Sequence, residues 1–381
     1  METHRPPVYM DCNATTPLDA RVRDIVVHYL EEDFGNAGSR THEYGARAKR
    51  AIQRARKQVA AVLDAEPHEV IFTSGATESN NLAILGLAEY GNKVCRKHVI
   101  SSQIEHKAVL EPLERLQERG FEVTLLKPNA GGWVEPQAVE ESLRNDTLLV
   151  SIMHVNNETG VIQPIEEIAE VLAGSETFFH SDAAQGFGKE LRALKNKRLD
   201  IISVSGHKLF APKGVGAMMM RKRGFKGLPV APLAFGGGQE RGMRPGTLPV
   251  ALIAGLGLAA ELAVKEACER ASKCSQMKEQ LLGAFESLGA SCNGDQSRVL
   301  PHVINLSIPG LDSEAVMLAI KDIIAISNGS ACTSQNYEPS HVLRAMGLDE
   351  DAVRGALRIS WCQMTESPDW DEVVSRIRRL K

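Results

Sequence analysis

The strongest constraint on this chain is the alternation of short apolar runs with amphipathic helical stretches. Val70-Ile71-Phe72 reads as a buried strand, and residues 78–90 after it read as helical. His98-Val99-Ile100-Ser101 is strand-like, and residues 107–119 read as a helix that stops at Gly120. Further candidate strands are residues 123–126, 148–153, 177–180, 201–204 and 215–220. Such alternation favours an α/β architecture. From residue 249 the texture changes. A long Ala/Leu-rich helix runs toward residue 286, and strands at 303–306 and 358–360 predict a smaller α+β domain. The expected division is a large domain over residues 16–255 and a small domain over residues 1–15 and 256–381.

Composition narrows the class without giving a function. Hydrophobic residues make up 43% and charged residues 24%, which is globular usage and argues against extensive disorder. A formal net charge of −4 argues against a protein that grips nucleic acid directly by bulk charge. No apolar run reaches the roughly 18 residues of a membrane span, and Met1-Glu2-Thr3-His4-Arg5-Pro6-Pro7 has no apolar core for a secretory signal. The seven cysteines are odd in number and scattered, with no CxxC pair. Neither a disulfide framework nor a metal site is expected, and the setting these features predict is cytoplasmic.

Chemistry is expected where strands end and helices begin. Thr73-Ser74-Gly75-Ala76-Thr77-Glu78-Ser79 occupies such a position, and a helix N-terminus there suits a phosphate. Alone, it would be an ordinary cap with Thr77 or Ser74 as the capping residue. In Ser203-Val204-Ser205-Gly206-His207-Lys208 a lysine follows a buried strand, and a lysine amine can form an imine with an aldehyde cofactor. His180-Ser181-Asp182-Ala183-Ala184-Gln185 puts an acid and an amide at another strand end, and Ile104-Glu105-His106-Lys107 puts an imidazole at a third. Taken singly, each has a plain structural explanation. Together, a lysine, a carboxylate for a pyridinium nitrogen and a phosphate cup are what pyridoxal phosphate requires.

With these segments in order, the chain resembles the cysteine desulfurases of the NifS/IscS type, within the class V aminotransferase family. The likeness also runs through Ala14-Thr15-Thr16-Pro17, Phe34-Gly35-Asn36, His154-Val155-Asn156-Asn157-Glu158 and residues 236–247. It ends in Gly329-Ser330-Ala331-Cys332-Thr333-Ser334. The resemblance implies a fold type I pyridoxal phosphate enzyme, with a mostly parallel central sheet in the large domain. It implies that Lys208 carries the cofactor and moves protons, that Asp182 pairs with the pyridinium nitrogen, and that Gln185 donates to the ring oxygen. His106 would stack on the ring. Thr77, Ser205 and His207 would hold the phosphate with the backbone of Ala76. Asn156 and Arg358 would bind the carboxylate of the substrate, L-cysteine. Thr247 matches a position that reaches the phosphate of the other subunit's cofactor, which implies a homodimer.

Cys332 lies in a polar, glycine-containing segment whose composition favours an exposed, mobile loop. The resemblance makes it the acceptor that takes sulfur from cysteine as a persulfide, leaves alanine, and passes sulfur to an acceptor protein. Its segment is similar to the long-loop group of the family. Some positions depart from the family's pattern. Phe235 stands where a histidine is usual, Pro245 where serine is common, and Trp361-Cys362-Gln363 where Leu-Gly-Arg is more usual. The chain ends at Arg378-Arg379-Leu380-Lys381, short of the tail that housekeeping enzymes use to dock a scaffold, which makes a dedicated acceptor the expectation. Gly38-Ser39-Arg40-Thr41-His42-Glu43-Tyr44-Gly45 and Ser327-Asn328 resemble the desulfurases of DNA phosphorothioation systems. The alternatives are sulfur supply for iron–sulfur clusters or tRNA thiolation, and selenocysteine lysis.

Overall fold

The computed structural model describes residues 6–224, 227–329 and 339–381. After the short strand β1 (Val8–Tyr9), seven strands build one sheet. They are β2 (Val70–Thr73), β3 (His98–Ser102), β4 (Glu122–Leu126), β5 (Thr147–Ser151), β6 (Phe178–Asp182), β7 (Ile201–Ser205) and β8 (Gly216–Met220). Their order is β2-β8-β7-β6-β5-β3-β4. The run from β7 to β4 is parallel throughout, and β8 is antiparallel to both its neighbours.

A parallel sheet needs crossover helices, and these cover both faces. Successive side chains on a strand point to opposite faces. Val70, Phe72, Ile100, Val150, Phe179 and Ile202 therefore pack into one core with the helices Ala20–Glu31, Glu43–Val62 and Val250–Lys265. Their neighbours Ile71, Val99, Leu149, Phe178, Ile201 and Met218 pack into another, with Ala76–Leu85 and Lys107–Glu118. Burial on both sides is why these strands read as mostly apolar runs and not as alternating ones.

Four later strands, β9 (Ser291–Cys292), β10 (Val303–Ser307), β11 (Ile324–Ala325) and β12 (Ala356–Ser360), make two small sheets. β12, β10 and β9 are antiparallel, and β11 runs parallel to β1. Bridges from Asp11 to Ser360 and from Ser327 to Arg358 tie the two together. They share a core of their own that includes Met10, Phe285, Ile304, Leu357 and Trp361.

Two expected helices are each divided. The stretch toward residue 286 is Val250–Lys265 followed by Ala267–Glu286, with Glu266 at φ −109° between them. The Glu266 carboxylate accepts from Arg21 Nη1 at 2.5 Å and from Arg270 Nη2 at 2.8 Å, which fixes the junction. Core packing against the large sheet continues to Ala263, and the small-sheet core takes over from Cys274. The stretch 78–90 divides at Gly86, where a Cβ would approach Val230 Cγ1 to 2.6 Å.

The glycine-rich segment that begins after the exposed Phe235 is anchored from below. Glu240 and Arg241 adopt left-handed φ values of 46° and 58°, which turns the Glu240 carboxylate into the protein. There it receives Arg56 and the N–H of Phe72. Among the described residues, no helix is long and apolar enough to cross a membrane.

Candidate active site

The C-terminal ends of β2, β3, β6 and β7 open onto one cavity of about 520 Å³. The helix Ala76–Leu85 begins there. Its N-cap is Gly75, and no side chain caps it, contrary to the plain reading of Thr77 or Ser74 as caps. Ser74 N–H is taken by Glu78 Oε2 at 2.5 Å, and the first turn faces the cavity through Gly75, Ala76 and Thr77. This close fit depends on Gly216 in the neighbouring strand, where a Cβ would sit 2.6 Å from Gly75 Cα. An uncapped helix N-terminus carries free donors and partial positive charge, so it attracts an anion.

Asp182 ends β6 and is 6% exposed. Its Oδ2 accepts from Asn80 Nδ2 at 2.7 Å and its Oδ1 from the N–H of Ala184 at 2.9 Å, which orients the carboxylate. Just behind it His180 bridges Ser151 and Ser203, and burial pushes its pKa down to about 4. That imidazole is a neutral part of the core.

Lys208 closes the single turn Gly206–Lys208 after β7. Thr16 clamps this turn, because its hydroxyl donates to His207 O at 3.0 Å and accepts from Phe210 N–H at 2.8 Å. Lys208 Nζ donates to Ala14 O at 2.6 Å and to Asn13 O. Asn13 O also accepts from Gln185 Nε2 at 2.9 Å. The conspicuous Ala14-Thr15-Thr16-Pro17 segment thus lodges the lysine. His207 contacts Thr15 Oγ1 at 3.2 Å, and burial, with help from Lys208 and Lys213, pushes its pKa down to about 4. The same two cations line the cavity and make it a favourable place for an anion.

His106 caps the helix Lys107–Glu118 by accepting the N–H of Ala108 on Nδ1 at 3.0 Å. A backbone N–H can only donate, so Nδ1 is unprotonated and the ring proton belongs on Nε2. Burial holds the His106 pKa below the usual value, so the ring is neutral at neutral pH. Beside it, burial pushes the Glu105 carboxyl up to about 8, while its Oε1 accepts from Ser102 Oγ at 2.6 Å and Met153 N–H at 2.9 Å.

Arg358, on β12, reaches the cavity from the small sheets and is 1% exposed. Its Nη2 donates to Asp11 Oδ1 at 2.8 Å and its Nη1 to Asn157 O at 3.2 Å. Its Nε finds no partner among the described residues.

Ala76, Thr77, His106, Asp182, Gln185, Ser205, His207, Lys208 and Arg358 therefore come together. Asn156 does not join them. Its Nδ2 donates to Ile104 O at 3.0 Å, and its Oδ1 accepts the N–H groups of Glu158 and Thr159 at 2.9 Å. Its amide is used to hold the loop, and its neighbour Asn157 lines the cavity instead. Thr247 is exposed and does not line the cavity of its own chain. Cys332 lies outside the described residues. The flanking Gly329 and Pro339 line a neighbouring cavity of about 490 Å³, which shares His106 with the first. Asn13, Asn80 and Lys213 were missed by sequence reasoning, and no local pattern marks them.

A mostly parallel α/β core with a ligand cavity at its strand ends, lined by a lysine, a carboxylate and a helix N-terminus, defines an enzyme of the cofactor-dependent α/β class. The chain belongs to the aminotransferase class-V family, whose model matches residues 8–373. It is 43% identical over 375 residues to a cysteine desulfurase IscS of Vibrio cholerae, covering 98% of this chain and 92% of that protein. Among solved structures it is similar to DndA from Streptomyces lividans, with a TM-score of 0.82 and 52% identity over 93% of this chain and 98% of that one. It is similar also to SspA in complex with cysteine, with a TM-score of 0.82 and 37% identity over 94% of this chain and all of that one.

Proposed function

We propose that this chain is a pyridoxal phosphate-dependent cysteine desulfurase that converts L-cysteine to L-alanine and transfers the sulfur to Cys332 as a persulfide. The observation that carries the reading is the convergence of Lys208, Asp182 and His106 on one cavity that also has a helix N-terminus and a buried arginine. The donor set fits the cofactor. Asn80 Oδ1, Gln185 Oε1 and Arg358 Nε are buried without partners among the described residues, so polar capacity is left at its rim. The uncapped helix and the Lys208–Lys213 pair suit its phosphate, and Asp182 suits its ring nitrogen.

When bound, pyridoxal phosphate supplies an electron sink for bonds at the amino acid's α and β carbons. The chain's own residues do the rest. Lys208 holds the cofactor and moves a proton at Nζ between substrate carbons. Neutral His106 has Nδ1 fixed as an acceptor, which leaves its Nε2–H as the group that can give a proton. Arg358 receives the substrate carboxylate, its fork already aligned by Asp11. Cys332 attacks the substrate sulfur and keeps it as a persulfide. The Arg56–Glu240 anchor would steady the segment that carries Thr247 toward a second subunit's cofactor in a homodimer.

The likeness to DndA and the reading of residues 38–45 favour DNA phosphorothioation as the pathway. The negative net charge favours delivery of sulfur through an acceptor protein. Incubating the purified, cofactor-loaded chain with L-cysteine and a thiol reductant tests the activity. Alanine and sulfide should appear in equal amounts, and transamination without sulfide would overturn the assignment. Affinity capture should recover a sulfur-acceptor protein of DNA modification, whereas recovery of an iron–sulfur scaffold alone would overturn the pathway.

A further inference from the structure

Separate from the cavity above is a smaller one of about 50 Å³, lined by Cys12, Cys274, Cys362, Lys189 and His302. Cys12 and Leu209 line it, whereas the adjoining residues Asn13 and Lys208 line the larger cavity. We propose that Cys12 and Cys362 form a peroxide-reactive thiol pair, a reversible oxidative modification site distinct from Cys332.

The two thiols come from opposite ends of the sequence but are held together by backbone pairing. Cys12 N–H donates to Ser360 O at 2.9 Å, next to the Asp11–Ser360 bridge, and the N–H of Asn13 donates to Ser360 Oγ at 2.9 Å. Both cysteines pack with Phe210 in one buried cluster, and both line the same small cavity. Cys362 is further fixed by Thr365, whose Oγ1 lies 3.0 Å from its N and 3.5 Å from its Sγ.

The charge lining this cavity is one-sided, although the Asp11 carboxylate lies next to Cys12 in the chain. Among the described residues lining this cavity there is no carboxylate, yet it contains Lys189, Arg270 and His302. Arg270 is matched by Glu266 outside. Lys189 Nζ lies 3.3 Å from His302 Nε2, and burial keeps His302 well below its usual pKa, so the imidazole is neutral and accepts. A buried ammonium with no carboxylate favours a thiolate as its counter-charge. Thr365 Oγ1, 3.5 Å from Cys362 Sγ, favours that charge on Cys362, whose pKa is lowered while that of the buried Cys12 is raised. The cavity has room for one small polar molecule of about the size of water or a peroxide.

The chemistry balances with a hydroperoxide as oxidant. The Cys362 thiolate attacks one peroxide oxygen, so that an S–O bond forms, the O–O bond breaks and the leaving oxygen departs with a proton as water or an alcohol. Cys12 then attacks the sulfenic sulfur. An S–S bond forms, the S–O bond breaks, and the hydroxide leaves with the Cys12 proton as water. Two thiols are oxidised and one peroxide is reduced. The bond would join the segment that lodges Lys208 to the residues that follow β12, the strand carrying Arg358.

The test uses the full chain carrying Cys332→Ser, so that the loop thiol takes no part, treated with hydrogen peroxide and analysed by intact and peptide mass spectrometry. The expected result is loss of two hydrogens, a Cys12–Cys362 linked peptide, and full reversal by dithiothreitol. Adding Cys12→Ser should instead leave Cys362 as a sulfenic acid that a 1,3-diketone probe traps. Adding Cys362→Ser should leave Cys12 unmodified. Absence of the linked peptide, a bond to Cys274 instead, or equal probe labelling at the exposed Cys95 and Cys268 would overturn the proposal.

Discussion

Asn80 Nδ2 donates to Asp182 Oδ2 at 2.7 Å, so the helix whose first turn opens the cavity also orients the carboxylate at the end of β6. Both side chains are buried. Asn80→Ala therefore leaves a buried carboxylate one donor short. Loss of a hydrogen bond to a charged group costs about 1.5–3 kcal/mol, or roughly 10–100-fold in an equilibrium. Absorbance titration with pyridoxal phosphate should show weaker binding by that factor, and unchanged binding would remove Asn80 from the site.

Arg358 is expected to act on the substrate and not on the cofactor. Arg358→Lys keeps a positive charge but loses the planar fork that Asp11 aligns. The KM for L-cysteine should rise by about 10-fold or more, with the cofactor's absorbance retained. A fall in kcat with KM unchanged would contradict a carboxylate-binding role.

His106 combines a cap with a proton-transfer role, and these can be separated. Asparagine is a good N-cap, so His106→Asn should preserve the helix Lys107–Glu118 while removing the imidazole. The expected loss in kcat is about 10²–10⁴-fold, with little change in thermal stability. Burial lowers the His106 pKa below 6.5, so the wild-type acid limb of kcat/KM should fall below that pH and vanish in the variant. A variant with wild-type turnover would make His106 a cap alone.

Glu105 gives a stability prediction with a definite sign. Its carboxyl is raised from 4.5 to about 8 by burial. Between these values the native state keeps a proton that the unfolded chain releases. Stability should therefore decline as pH rises through this interval, and level off above about 8. Glu105→Gln can still accept from Ser102 and Met153 on its carbonyl oxygen but cannot ionise. Its Tm should gain on the wild type as pH rises toward about 8, and parallel curves would contradict a neutral buried Glu105.

The sequence revealed the central strands because both of their faces are buried, so Val70-Ile71-Phe72 is continuously apolar and Ile201 to Val204 is apolar but for Ser203. Lys208, Asp182 and His106 were legible because each lies at the C-terminal end of such a strand or within a few residues beyond it. Asn80 was not, since it lies in the second turn of a helix, where asparagine has no local signature. Asn13 acts through its backbone carbonyl, which no residue type announces. Asn156 illustrates the opposite case: a polar residue beside the site whose hydrogen bonds hold its own loop and tie it to Ile104 O. The divided helix at Glu266 depends on Arg21, from a distant part of the chain, and the Cys12–Cys362 pair depends on a bridge between the two ends of the chain.

The central claim is that sulfur leaves L-cysteine for Cys332 while Lys208 and its neighbours hold the reacting carbon framework. Cys332→Ser in the cofactor-loaded chain tests this most directly, by measuring alanine release and protein-bound sulfur after mixing with L-cysteine. The account predicts a normal cofactor spectrum, a spectral response on substrate binding, no persulfide and no alanine. Alanine release at the wild-type rate would contradict it and move the sulfur acceptor to another residue.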